Sequence, residues 1–263
     1  MKLFSSNTDK EWERFGKNDP YFGVISDNKY KVSNLTVDHK EEFFQSGYAY
    51  MDRVITRIKK YLDPGFTIKN ALDFGCGVGR LVIPISEVAE KVTGVDVSES
   101  MLSKARNNCE VRSLKNIDFV KSDDQLSLLN EKFNFIHSFI VFQHIPVKRG
   151  EHIFRKLLFL LEDGGCGVVH FTYAKLSKIK NLIALIKKYV PLAKNILNLM
   201  KGKPFFAPVM QMNNYDLNRL FFILQQANVC EFFTELTDHG GDLGIIVYFK
   251  KQEKDIVMSK PGL

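Results

Sequence analysis

The chain is 263 residues long, 45% hydrophobic and 25% charged, with a formal charge of +7 and a pI near 9.1. That is an ordinary globular composition, enough for one domain with a core that needs neither metal nor disulfide. It excludes a spanning helix, which takes roughly 18 apolar residues in a run, and Cys76, Cys109, Cys166 and Cys230 show none of the spacings of a metal site.

The start, "MKLFSSNTDK", has no apolar stretch of the kind a secretion signal needs, so a cytoplasmic protein with reduced thiols is expected. Residues 8 to 62 read as helices and turns, with a bend at "DPYFGV" and a helix from Gly47 to Leu62 stopped by Asp63-Pro64-Gly65. From residue 70 the pattern alternates. Strands are expected at Ala71–Phe74, Lys91–Asp96, Ile117–Lys121, Phe133–Phe139 and Gly165–Phe171, and helices at Arg80–Ala89, Ser100–Val111 and Arg149–Leu161. Such alternation gives βαβ units and a mainly parallel sheet, which binds ligands at the carboxyl ends of its strands. A helix at Tyr215–Ala227 and an antiparallel strand pair, Cys230–Leu236 and Leu243–Lys250, follow an insertion.

The first strand runs into "ALDFGCGVGR", a glycine turn of G-x-G-x-G form. A dinucleotide turn needs G-x-G-x-x-G, and its last glycine would fall at Arg80. Asp73, two residues before Gly75, would also repel a pyrophosphate. The turn suits a ligand with positive charge and little phosphate. Asp73 favours an ammonium or sulfonium, while helix-start amides and Arg80 favour a carboxylate. Asp96 ends the second strand 21 residues after Gly75, where an acid can accept from both ribose hydroxyls. Asp123 and Asp124 end the third, where an adenine amino group could be read.

"LDFGCGVGR", "VTGVDVSESML", "FVKSDD" and "FNFIHSFIVFQHIP", in this order and spacing from about residue 68 to 172, resemble the class I S-adenosylmethionine-dependent methyltransferases. The N-terminal "WERFGKNDPYFGV" and "EEFFQSGYAYMDRV" resemble a bacterial subgroup acting on sugars or other small molecules. The resemblance implies a Rossmann-like α/β fold: a seven-stranded, mostly parallel sheet with an antiparallel last strand and helices on both faces. It implies an N-terminal helical lid over residues 1–66, a cofactor-binding core at 67–173, a helical cap at 174–212 and a C-terminal helix and strand pair at 213–251. The implied cofactor is S-adenosyl-L-methionine, leaving as S-adenosyl-L-homocysteine, held by Asp73, Gly75, Gly77, Gly79, Arg80, Asp96, Val97, Met101, Asp123, Asp124 and Phe139. Asn134 stands where the family commonly has aspartate, at a structural strand start.

Methyl transfer needs position, desolvation and, for a hydroxyl or protonated amine, a base. His144 in "VFQHIP" is the first candidate, because histidine titrates near neutrality, and His170 at the end of strand five is the second. Tyr21, Gln143, Tyr173 and His239 are expected around the acceptor, with Phe22, Ser46 and Gly47 near the cofactor. His137, inside strand four, reads as a packed, satisfied histidine, and His39 and His152 as surface residues. Cys76 fits its turn by size.

Between Ala174 and Phe206 lie eight lysines and no acid, so the +7 total leaves the rest of the chain at −1. Ile179, Leu182, Ile183, Ile186 and Val190 recur at helical spacing opposite those lysines, a pattern suited to a substrate lid, an anionic membrane surface or a homodimer contact. The expected function is methyl transfer to a hydroxyl or amine of a small metabolite, a sugar or lipid-linked sugar among them. A nucleic-acid methyltransferase is disfavoured. The chain has "SFIVFQHIP" where base amino methylation uses Asn/Asp-Pro-Pro-aromatic, and aromatic residues do not interleave with the lysines as a single-strand stacking groove would require. A non-catalytic cofactor-binding protein is the remaining alternative.

Overall fold

The structure, a computed structural model, describes residues 8–176 and 210–253. Nearly all of the basic insertion falls outside the described residues, and with it the lid, membrane and dimer expectations for that segment. Seven strands form one sheet: β1 (Asn70–Phe74), β2 (Lys91–Asp96), β3 (Ile117–Lys121), β4 (Phe133–Ser138), β5 (Leu161–Lys175), β6 (Phe232–Asp238) and β7 (Asp242–Lys250). Their order is β3-β2-β1-β4-β5-β7-β6; the first five run parallel, and β7 runs antiparallel between β5 and β6. The expected Rossmann-like architecture is therefore present. β5 is longer than the sequence indicates, because its ladder with β7 continues past a bulge to Lys175 opposite Asp242.

The helices are α1 (Thr8–Asn18), α2 (Pro20–Val24), α3 (Val37–Tyr61), α4 (Val82–Ser86), α5 (Glu99–Glu110), α6 (Val147–Leu160) and α7 (Leu217–Gln226). α3 begins ten residues before Gly47, with Thr36 and His39 closing a reciprocal capping box. Its first turns are polar and exposed, so hydrophobic spacing alone could not reveal them.

Alternation along the buried strands divides the core between the sheet's two faces. Ala71, Phe135, Val168, Ile246 and Tyr248 pack with α3 and α4, whereas Leu72, Ile136, Val169, Val247 and Phe249 pack with α6 and α7. Asp73 and His137 share the parity of Ala71 and Phe135 and are direct neighbours in the β1–β4 register, so both face α3. Asn134 fixes the start of β1: its carbonyl accepts from the amides of Lys69 and Asn70, and its amide donates to Thr67.

A third, aromatic cluster joins the N-terminal helices to the sheet edge. Tyr21 and Tyr30 meet Phe43 edge-to-face, and Phe15 and Val78 are buried with them. Glu13 on α1 caps the start of α5, accepting from Ser98 Oγ, Ser100 N and Ser100 Oγ. A carboxylate at a helix N-terminus is favoured by the helix dipole. Burial opposes ionisation of Glu13, but these donors hold its pKa at about 2.

Candidate active site

Strand order reverses between β1 and β4, and a cavity of about 820 Å³ opens beyond the carboxyl ends of these strands. Ser46, Ala49, Tyr50 and Arg53 line one wall; they recur at helical spacing on α3, so one face of that helix is the wall. Trp12 of α1 and the stretch Gly23–Ser26 close another side.

The glycine turn is built around Asp96. Gly75, Gly77 and Gly79 all have positive φ, at 78°, 55° and 86°, a region that favours glycine. At Gly75 a Cβ would overlap Val141, and at Gly77 it would lie 2.7 Å from Val24 Cγ2. The amides of Gly75 and Cys76 both donate to the carbonyl of Val95, at 2.7 and 3.0 Å. Asp96 accepts from Gly77 N through Oδ2 and from Ser98 N through Oδ1, each at 2.9 Å. Burial outweighs these donors and raises its pKa to about 6.

At the other end of the turn Arg80 is buried. Nη1 donates to Ser46 Oγ at 3.3 Å, while Nε has no partner, and burial lowers its pKa. Asp73 accepts from His137 Nδ1 at 2.7 Å, and His137 Nε2 lies 3.2 Å from Tyr50 Oη. His137 is fully buried and hydrogen-bonded on both ring nitrogens. Asp73, Arg80 and Asp96 all line the cavity.

His144 sits beyond β4 in a short 3₁₀ turn, Phe142–His144. Its Nδ1 lies 2.7 Å from the carbonyl of Gln211, which only accepts, so Nδ1 carries the proton. Thr172 Oγ1 donates to Gln143 Oε1 at 2.8 Å; this orients the Gln143 amide nitrogen toward His144 Nε2, at 3.1 Å. Burial lowers the His144 pKa to about 4. His144 is therefore a neutral imidazole whose free nitrogen already accepts a hydrogen bond. Trp12 meets its ring edge-on at 5.0 Å between centroids.

The cavity lining brings together Asp73, Gly75, Gly77, Arg80, Asp96, Val97, Met101, Phe139, Gln143, His144 and His239, and also Ser46. Other expected residues lie outside the cavity lining. Asp123 does not line the cavity; its carboxylate accepts from Gln125 N, Ser127 N and Ser127 Oγ in its own loop. Asp124 is paired with Arg149 at 2.5 Å, and Ser122 reaches the cavity instead. Gly79 shapes the turn against Ala105 of α5 without lining the cavity. Tyr21 is buried in the aromatic cluster, donating to Asn108 Oδ1 at 2.9 Å, and Tyr173 packs against the α6 side of the core. His170 is wholly buried on β5, outside the lining: Nε2 pairs with Thr237 Oγ1 at 2.9 Å, and burial lowers its pKa to about 3. It backs His239, whose ring centroid lies 5.3 Å away. Tyr50, Arg53 and Trp12 went unread as site residues. Only the recurrence of 46, 49, 50 and 53 could have found the first two; Trp12 is placed by tertiary packing.

With the Asp73 carboxylate, the buried and incompletely satisfied Arg80 guanidinium, and the Asp96 carboxylate on the neighbouring strand, the cavity fits an elongated ligand. Its cationic centre would face Asp73, its carboxylate Arg80, and its hydroxyls Asp96. Among the described residues there is no cluster of His, Cys, Asp and Glu that could hold a metal ion, and no helix is long and apolar enough to cross a membrane.

Residues 71–165 match the family model described as "Methyltransferase domain". Among curated proteins, the chain is 34% identical over 95 residues to the 23S rRNA (uracil(1939)-C(5))-methyltransferase RlmD of Marinomonas posidonica, a match spanning 36% of this chain and 22% of that protein. It is 30% identical over 109 residues to the ubiquinone biosynthesis O-methyltransferase of Coxiella burnetii, spanning 40% of this chain and 45% of that protein. The chain thus covers less than half the length of these relatives. Among solved structures, magnesium protoporphyrin IX methyltransferase from Synechocystis, with bound SAM, matches at a TM-score of 0.61 and 17% identity, covering 96% of this chain and all of the other. The N-methyltransferase NodS of Bradyrhizobium japonicum, in complex with S-adenosyl-L-homocysteine, matches at 0.57 and 14% identity, covering 94% and 100%.

Proposed function

We propose that this chain, whose residues 71–165 match a methyltransferase-domain model and whose fold is that of the class I S-adenosylmethionine-dependent methyltransferases, transfers a methyl group from S-adenosyl-L-methionine to a hydroxyl or amine of a small metabolite. The observation that carries this reading is the joint placement of Asp73, Arg80 and Asp96 in one cavity, around a turn where a side chain at Gly75 or Gly77 would clash. Bound there, the donor would supply an activated methyl group on a sulfonium.

The residues divide the work. Arg80 and Ser46 take the donor's carboxylate, and Arg80 Nε gains the partner it lacks. Asp73 stabilises positive charge at that end, and Asp96 accepts from ribose hydroxyls. Val97, Met101 and Ser122 bound the base. Val141, Ile145, Ile153, Met210 and Met212 extend an apolar surface on the His144 side, suited to an acceptor with a hydrophobic body. His144, held in one tautomer between Gln143 and Gln211, forms part of the acceptor wall. Closure by α1 and the Gly23–Ser26 stretch excludes water.

The partial match to an rRNA methyltransferase raises a second reading, methylation of a pyrimidine carbon. That chemistry uses a cysteine nucleophile. Cys76 is the one described cysteine at the cavity, and burial, with Asp96 and Asp73 beside it, pushes its thiol far above the ordinary range. Cys109 and Cys166 are buried and raised to about 11 and 12. A thiolate is disfavoured at each, which favours the small-molecule reading.

The test is a methyl-donor assay against nucleotide sugars, glycolipids, small phenols and amines, read by mass. A gain of one methyl group on any of these supports the proposal. Methylation of rRNA, with none of the small molecules modified, would replace it by the second reading.

A further inference from the structure

His144 has its accepting nitrogen occupied and its protonation disfavoured by burial, so it is poorly placed to take a proton. A different group of buried titratable residues reaches the same cavity. Tyr50 lines the cavity from α3, its ring 4.3 Å from Phe139, and its hydroxyl meets His137 Nε2 at 3.2 Å. His137 Nδ1 meets the Asp73 carboxylate at 2.7 Å, and Asp73 also lines the cavity. A carboxylate only accepts, so Nδ1 carries hydrogen; in the neutral ring Nε2 then accepts from the phenol. The order is cavity, phenol, imidazole, carboxylate. It follows the logic of a nucleophile–histidine–aspartate triad, in which the acid fixes the tautomer and stabilises the imidazolium.

Resting on the methyl-transfer reading above, we propose that Tyr50 is the group that accepts the acceptor's proton, and that His137 and Asp73 position it and discharge it. The acceptor's O–H or N–H bond breaks and its hydrogen passes to Tyr50 Oη. The original phenolic hydrogen passes to His137 Nε2. The electron pair stays on the acceptor atom, free to form its new bond to carbon. The positive charge comes to rest on an imidazolium paired with Asp73. Tyr50 itself ends as it began, a neutral phenol, which burial requires because it drives the phenol pKa well above the ordinary value. The charged and titratable groups facing Tyr50 are Arg80 and Arg53, which favour its anion, and Asp73 and Tyr248, which oppose it. None of them is placed to take the proton from Nε2. Tyr50 is the catalytic residue of this relay; His137 and Asp73 are positioning residues acting through it.

The experiment uses the full chain, with S-adenosyl-L-homocysteine as the probe. Long-range proton–nitrogen NMR on the wild type reports the His137 tautomer. Expected are a protonated Nδ1 and an Nε2 shifted by accepting a hydrogen bond, with Tyr50→Phe moving the Nε2 resonance toward that of a free accepting nitrogen. Calorimetry should give Tyr50→Phe an affinity for the probe within about twofold of wild type. With the acceptor returned by the mass screen, kcat should fall roughly 10²–10⁴-fold at unchanged donor KM. A wild-type His137 bearing hydrogen on Nε2 in place of Nδ1, or Tyr50→Phe turnover within a few-fold of wild type, would overturn the relay while probe binding stood. Failure of the wild type to bind the probe at all would overturn the methyl-transfer reading, and the relay's role with it.

Discussion

The Asp96 carboxylate and the Gly77 amide are joined by a 2.9 Å hydrogen bond, so the acid that ends β2 also sets the shape of the glycine turn after β1. A second bond, from Ser98 N to the other oxygen, ties the same carboxylate to the start of α5. One side chain thus couples the two halves of the proposed donor site. Asp96→Ala should weaken S-adenosyl-L-homocysteine binding by about 1–3 kcal/mol, since it removes the acceptor of the ribose hydroxyls and leaves a buried amide unpaired. Calorimetry checks this, and an unchanged affinity would remove Asp96 from the site.

The same residue sets a pH dependence. Its folded pKa is raised to about 6 from an ordinary 3.8, so its stability contribution is fully present below 3.8 and is lost as pH rises through about 6. Ribose hydroxyls donate to the ionised form and bind it better. Affinity for S-adenosyl-L-homocysteine should therefore be level above pH 6 and fall below it, with proton release on binding near pH 6. Asp96→Asn should abolish that slope. Titrations at several pH values decide the matter.

Gly75 combines a φ of +78° with a position where a Cβ would overlap Val141. Gly75→Ala should destabilise the fold by about 2–4 kcal/mol, part from the left-handed backbone and part from overpacking. Adding Val141→Ala should restore the steric part and leave the backbone part. Denaturant unfolding of the single and double variants separates the two, and an additive double variant would refute the contact.

Glu13 docks α1 on α5, and its pKa is held at about 2, below the ordinary 4.5. A depressed acid stabilises above its unfolded pKa and loses that effect as pH falls through its folded value. The α1 contact should accordingly loosen between pH 4.5 and 2, and Glu13→Gln should loosen it at neutral pH. Trp12, the chain's one tryptophan, lies on α1 against His144 and reports the change by fluorescence. An emission spectrum unaffected by pH or by Glu13→Gln would contradict this anchoring.

Arg149 on α6 donates to Asp9 of α1 at 2.7 and 3.0 Å and to Asp124 after β3 at 2.5 Å, bridging two sides of the cavity. Arg149→Met removes all three charge-assisted bonds and should speed release of S-adenosyl-L-homocysteine by on the order of tenfold. Stopped-flow dissociation tests it, and an unchanged rate would show that closure does not depend on this bridge.

Much of the sheet was legible because its signals are local. Short apolar strands, amphipathic helices and the Gly75–Gly79 turn each occupy a few consecutive residues, and Asp73, Arg80 and Asp96 are fixed by that turn and by strand ends. The residues that fall outside the cavity are those whose side chains other partners claim. Asp123 and Asp124 stand at a strand end like Asp96, but the first folds onto Ser127 and the second is claimed by Arg149. Tyr21 and Tyr173 had chemistry suited to a site, but the aromatic cluster and the α6 core claimed them. The polar run Asp38–Glu42 at the start of α3 hid the beginning of the helix whose inner face carries Tyr50, and nothing local joins that residue to His137, 87 positions along.

The most direct test of the account is a titration of the purified wild-type chain with S-adenosyl-L-homocysteine beside NAD and FAD. The account predicts one-to-one binding of the first, weakened in Asp96→Ala and Arg80→Met, and no heat from either dinucleotide. Binding of a dinucleotide at this cavity, with no binding of S-adenosyl-L-homocysteine, would contradict it.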